Sequence, residues 1–357
     1  PCGGAIPPRL IKDFEIPDHL LVAKARSARM ISPSDRKVDI PIDNGFVGMV
    51  DREHFDEWLR ARAAQAGAER RTGTYDKLTR DTDGMAVVNY HVRGESGAKL
   101  AFAVRARAVI GADGARSGVA RDAVPGAKNV ECVFAYHEIV QRPAQPGPDY
   151  DPTRCDVYYR GTVSPDFYGW VFPHGDTLSI GTGSADKGFS LRHATQGLRE
   201  AAGLKDTVTL RREGAPLPMK PLKCWDNARD VVLAGDAAGV VAPASGEGIY
   251  YAMYGGRVAA EAVLDMLATG KGRALAGARK RFMKQHRTVF LVLGIMQRFW
   301  YRTDKRRERF VSICKDKDVQ QLTFESYMNK ELVRRSPMAH LRIFFKDMAH
   351  LLGLARV

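Results

Sequence analysis

Cysteine is scarce: Cys2, Cys132, Cys155, Cys224 and Cys314 are five in 357 residues, an odd number with no CxxC spacing. This excludes a disulfide framework and a zinc-finger site, and it points to a reducing, cytoplasmic compartment. His340 and His350 are too far apart for a single-face metal pair, and no other histidines stand at ligand spacing, so no metal centre is expected. Long apolar runs are also missing. The best candidate, from Val289 to Met296, ends at Gln297 and Arg298, far short of the roughly 18 residues a spanning helix needs. Pro1-Cys2-Gly3-Gly4 has neither a basic n-region nor an apolar h-region, so no secretory signal is read there. No G-x-S-x-G elbow and no GxGxxG occurs. Acidic residues are in deficit, with Asp+Glu at 41 against Lys+Arg at 55, which leaves a net charge of +14. Such a field favours phosphorylated cofactors or acidic lipid surfaces; no nucleic-acid module is recognisable, so no nucleic-acid partner is expected.

With 45% hydrophobic and 27% charged residues the chain is of ordinary globular type, long enough for two or three domains. Gly45 to Val50 reads as a strand, Asp51 as an N-cap, and Phe55, Trp58, Leu59 and Ala63 as the apolar face of a helix ending near Gly67. A hairpin is expected over Met85 to Val92 and Leu100 to Ile110, its second arm entering Gly111-Ala112-Asp113-Gly114. Strands at 130–140, 155–160, 169–172 and 178–183, with one helix at 191–202, mark a β-rich insertion. The first domain resumes in Asp230-Val-Val-Leu-Ala-Gly235-Asp236, followed by a Gly/Ala/Pro/Ser loop and a helix over 248–268. Beyond Gly272 the chain reads as helical and basic. Lys305-Arg306-Arg307 is placed in a loop, and Met338, Leu341, Phe345, Met348 and Leu352 share one face of a last helix.

Gly235-Asp236 with Gly246-Glu247-Gly248-Ile249 is the run richest in chemistry. Glycines let a ligand approach the backbone, Asp236 can accept from sugar hydroxyls, and the helix that follows offers free N–H groups. Taken singly, each piece reads equally as a capped turn. Together with Gly111-Ala112-Asp113-Gly114 and Ser117, and with Tyr168-Gly169-Trp170-Val171-Phe172-Pro173, the set resembles the geranylgeranyl reductase family of FAD-dependent oxidoreductases. Pro1 to Ala5, and Val50-Asp51-Arg52 with Phe55, Trp58 and Leu59, resemble it too; Pro1 to Arg9 and Arg29 to Pro41 are most similar to its (bacterio)chlorophyll-pathway branch.

The resemblance implies a Rossmann-like α/β FAD-binding domain of the p-hydroxybenzoate-hydroxylase type over 1–128 and 222–272. It further implies an inserted β-sheet substrate domain over 129–221 and a C-terminal helical region over 273–357. It places Arg52, Asp113, Gly114, Gly235, Asp236, Gly246, Gly248 and Ile249 on FAD, with NADPH as the donor near Asp113. Tyr168, Trp170, Phe172 and Pro173 line the isoprenoid cavity, and Cys2 becomes a candidate proton relay. The family opens on a strand with GxGxxG and an acid about 20 residues later; neither occurs here, which implies that the first βαβ unit lies outside this chain. The expected reaction is NADPH-driven saturation of a geranylgeranyl chain, carried as the diphosphate or on (bacterio)chlorophyllide, to phytyl. The expected location is cytoplasmic, or peripheral on the photosynthetic membrane. Two alternatives share the motifs: a flavin monooxygenase on this scaffold, against which the Tyr-x-Trp-x-Phe-Pro element speaks, and a non-enzymatic prenyl-lipid carrier.

Overall fold

A computed structural model describes residues 2–42, 45–128, 130–145, 147, 149–320 and Lys330. The chain opens with β1 (Ala5–Ile6), α1 (Pro8–Asp13), β2 (Leu21–Ala25), β3 (Ser27–Ile31), β4 (Lys37–Pro41), β5 (Val47–Val50) and α2 (Arg52–Gln65). There follow β6 (Thr74–Arg80), β7 (Ala86–Arg93), β8 (Lys99–Ala106), β9 (Val109–Gly111) and α3 (Gly118–Ala123). A β-rich stretch comes next: β10 (Val133–Gln141), β11 (Arg154–Tyr158), β12 (Gly169–His174), β13 (Thr177–Ser184), α4 (Leu191–Ala201) and β14 (Thr209–Leu217). It closes with β15 (Val231–Leu233), α5 (Ile249–Thr269), α6 (Gly277–Trp300) and α7 (Asp304–Ile313).

Two units emerge. Among the described residues, the first gathers those of 2–55, 133–215 and 288–320. Its main sheet has seven strands in the order β14-β10-β13-β12-β11-β3-β4. The β3 strand pairs in parallel with β11, so residues 27–41 extend the β-rich sheet. One sheet face is apolar: Val140, Val171, Leu178 and Ile180 pack with Leu198 of α4. Side chains alternate along a strand, so Trp170, Phe172 and Ser179 point to the opposite face. There Phe172 packs against the three-stranded sheet β1-β5-β2, through Ala25, Val47 and Met49.

The second unit gathers 56–132 and 216–287. It contains the antiparallel sheet β6-β7-β8 and the parallel pair β15-β9. Arg80 forks onto Asp230, tying β6 to the residue that precedes β15. The expected second arm of the hairpin is two strands, since β8 pairs with β7 while β9 leaves to pair with β15. As expected, Asp51 caps α2, where Oδ1 accepts from the N–H of Glu53 at 3.0 Å.

The Lys305-Arg306-Arg307 segment is helical, which corrects the expected loop. Thr303 caps α7, its hydroxyl accepting from Arg306 N–H at 3.3 Å, and Asp304 sits favourably in the first turn. The face expected from Met338 to Leu352 lies outside the described residues. All five cysteines are free thiols. No helix among the described residues is long and apolar enough to cross a membrane.

Candidate active site

In the second unit, β9 and β15 run parallel, with Leu233 opposite Gly111. The N–H of Ala234 donates to Gly111 O at 2.9 Å, so the loops 112–117 and 234–248 leave from the same carboxyl edge. That edge is where open parallel sheets take their ligands. Gly235, Gly239 and Gly246 hold φ of +60°, +81° and +66°. At Gly239 no side chain is admissible, because a Cβ would stand 2.4 Å from Lys220 O. Gly248 approaches Asp236: a Cβ there would lie 3.6 Å from the carboxylate Oδ1. The structure therefore brings Gly235, Asp236, Gly246, Gly248 and Ile249 together, as the spacing predicts. The α5 N terminus opens on Gly248, beside Asp236. Glycine backbone, a carboxylate and a helix N terminus fit the phosphates and hydroxyls of a dinucleotide.

Asp113 has a more local occupation than the sequence suggests. One oxygen accepts from Ser117 Oγ at 2.5 Å, the other from the N–H groups of Gly118 at 2.7 Å and Val119 at 3.1 Å. It caps α3 and shapes the turn in which Gly114 stands at φ +84°. Cys132, which spacing did not single out, has its thiol pushed up by burial and then by the charge of Asp236, so it stays protonated.

In the first unit, Tyr168, Trp170 and Phe172 form a stripe with ring centroids 6.1 and 6.4 Å apart. Gly3 lies against it, since a Cβ there would stand 3.0 Å from Phe172 Cδ2, and this brings neighbouring Cys2 toward the stripe. Cys2 Sγ accepts from the N–H of Gly4 at 3.3 Å. Pro173 is buried and, by strand alternation, faces the α4 side instead, so the structure separates it from the stripe. Arg52 opens α2 with an exposed side chain.

Sequence inspection missed the support beneath the stripe. The indole N–H of Trp170 donates to Ser179 Oγ at 3.1 Å. Ser179 Oγ is 2.9 Å from His137 Nδ1, and His137 Nε2 is 3.0 Å from Glu213. The indole edge reaches Gly181, where a Cβ would meet Trp170 Cζ2 at 2.5 Å. The available signal was the polar residue inside each apolar run, His137 in β10 and Ser179 in β13.

Burial pushes the His137 imidazole down to about 4 from its usual 6.5. Between these values the unfolded chain binds a proton that the fold refuses, so stability falls as pH drops from 6.5 toward 4. The slope is about 1.4 kcal/mol per pH unit. Glu213, held low by His137, and His174, lowered by burial, act in the same direction. Urea unfolding at pH 7, 6 and 5 should give a visibly shallower pH slope for His137→Gln than for wild type; parallel slopes would contradict the assignment.

An FAD-binding-domain family model matches residues 23–276. The geranylgeranyl diphosphate reductase of Rhodobacter capsulatus is 60% identical over 355 residues, covering 99% of this chain and 89% of that protein. This chain belongs to the geranylgeranyl reductase family of FAD-dependent oxidoreductases. The enzyme of the same name from a Synechocystis strain is 36% identical over 367 residues, 99% of this chain and 89% of that one. Among solved structures, a geranylgeranyl bacteriochlorophyll reductase-like protein from Thermoplasma acidophilum superposes with a TM-score of 0.79 at 20% identity. That match covers 95% of this chain and 89% of the other. The fold is accordingly that of the p-hydroxybenzoate-hydroxylase type, as expected from the motifs, and the cofactor is FAD.

Proposed function

We propose that this enzyme saturates the double bonds of a geranylgeranyl chain toward phytyl, with NADPH as electron donor and a diphosphate or a (bacterio)chlorophyllide as the chain's carrier. The observation that carries this reading is the aromatic face of β12, set on a strand of the fold that the reductase relatives share. Bound FAD supplies the hydride. Asp236 would accept hydrogen bonds from the ribityl hydroxyls, the backbone at the start of α5 and around Gly246 would receive the polar edge of the cofactor, and Arg52 and the turn at Gly114 would serve its phosphates, as the family resemblance implies.

An isolated trisubstituted alkene is a poor hydride acceptor, so a proton adds first, at the less substituted carbon, and a tertiary cation develops. The faces of Tyr168 and Trp170 stabilise that charge and exclude water from it. Cys2 as proton relay rests on family resemblance and on its neighbour's contact with Phe172. Anaerobic mixing with NADPH tests the donor: bleaching of bound flavin is expected, and unreduced flavin would overturn that part.

We further propose that α6 rests on an anionic membrane surface. Leu291 and Ile295 are 60% and 59% exposed, Arg298 continues the same helical face, exposed Arg302 follows just past the helix end, and no acid occurs from Met266 to Thr303. Leu291→Ser with Ile295→Ser should release the enzyme from phosphatidylglycerol vesicles in sedimentation. Equal retention of variant and wild type would refute this.

A further inference from the structure

We infer that Ser179 and His137 are positioning residues that hold the Trp170 ring plane in its working orientation for the prenyl chain. The inference rests on the reading of the aromatic face as the prenyl site. Ser179 is fully buried, His137 is 1% exposed and Trp170 6%. Their hydrogen bonds admit one consistent order. An indole nitrogen only donates, so Ser179 Oγ accepts from Trp170 and has its single proton left to give. That proton goes to His137 Nδ1, which makes Nε2 the protonated nitrogen, and Nε2–H donates to Glu213.

Because the chain ends in a donor-only group, it cannot pass a proton onward to a substrate, and its role is geometric. The indole packs beside Tyr168 and Phe172 and reaches the backbone at Gly181, and the hydrogen bond at Ser179 fixes where its N–H points within that packing. Successive double bonds of one chain must each meet the same ring face. A loosened indole therefore affects how far saturation proceeds as well as how fast.

Ser179→Ala is expected to lower kcat/KM for a geranylgeranyl substrate about tenfold, the equivalent of one lost hydrogen bond. It should also release a larger share of partly saturated product, with flavin content at the wild-type level. His137→Gln should lose less, about threefold, in the same direction, and serves if Ser179→Ala folds poorly. The decisive readout is a double-mutant cycle: in a Trp170→Leu background, Ser179→Ala should cost nothing further. The 15N spectrum should show one indole resonance shifted by Ser179→Ala. An equal loss in both backgrounds, or an unchanged product distribution and kcat/KM in an active enzyme, overturns the inference alone. A wild-type enzyme that saturates no prenyl chain overturns the reading of the face and this inference with it.

Discussion

Trp170→Leu is expected to reduce kcat/KM for a geranylgeranyl substrate by about ten- to a hundredfold, while FAD remains bound. A ring face near a desolvated cation contributes about 1 to 2 kcal/mol, and the lost aromatic contacts with the chain add to that. Leucine keeps the site apolar but is smaller than the indole, so the variant removes the ring's electrostatics and part of its bulk together. The groups proposed to hold the flavin, Asp236 and the Gly246–Gly248 loop, belong to the other unit. Some stability will go with the cavity, about 2 to 4 kcal/mol by the cost of comparable truncations, so rates should be measured well below the melting temperature. Steady-state kinetics with flavin content determined in parallel decides the matter. Unchanged rates at every saturation step would show that the stripe is ordinary core.

Arg307→Ala should destabilise the fold by about 3 to 5 kcal/mol, the scale of depriving several buried carbonyls of their donor at about 1 to 3 kcal/mol each. Arg307 is 2% exposed, and its guanidinium serves four acceptors. It donates to Asp304 at 2.6 Å, to the carbonyls of Ser164 at 3.0 Å and Pro165 at 2.6 Å, and to that of Tyr301. Asp304 in turn accepts from the N–H of Gly161 at 2.7 Å. The side chain thus fastens α7 to the 161–166 turn that leads into Phe167 and Tyr168. Alanine would take this donor from three carbonyls, while Asp304 would keep the N–H of Gly161. Lysine, a point charge without the planar fork, should recover only part of the loss. Denaturant unfolding measures this; a shift below about 0.5 kcal/mol, the range of ordinary surface changes, would refute it.

What could be read in advance was what local chemistry specifies. Asp51 capping α2, the alternation of Trp170 and Phe172 along β12, and the glycine loop after β15 each depend on neighbours within a few residues. The parallel pairing of β3 with β11 joins residues more than 120 positions apart, and hydropathy holds no record of it. β6 escaped notice because Thr74–Arg80 is a mostly exposed edge strand with little apolar pattern. Arg307 looked like one member of a solvated basic run, since its partners are carbonyls far away in the chain. Asp113 was legible as a motif residue, yet its capping of α3 needed coordinates. The groups behind Trp170 come from three strands and announce themselves only as isolated polar residues in buried runs.

The most direct measurement is the mass of the product formed anaerobically from a geranylgeranyl substrate with this protein, FAD and NADPH. Stepwise gain of hydrogen pairs is the predicted result. An unchanged mass alongside reduced flavin, with oxygen then required for any product, would contradict the account and place the enzyme among monooxygenases.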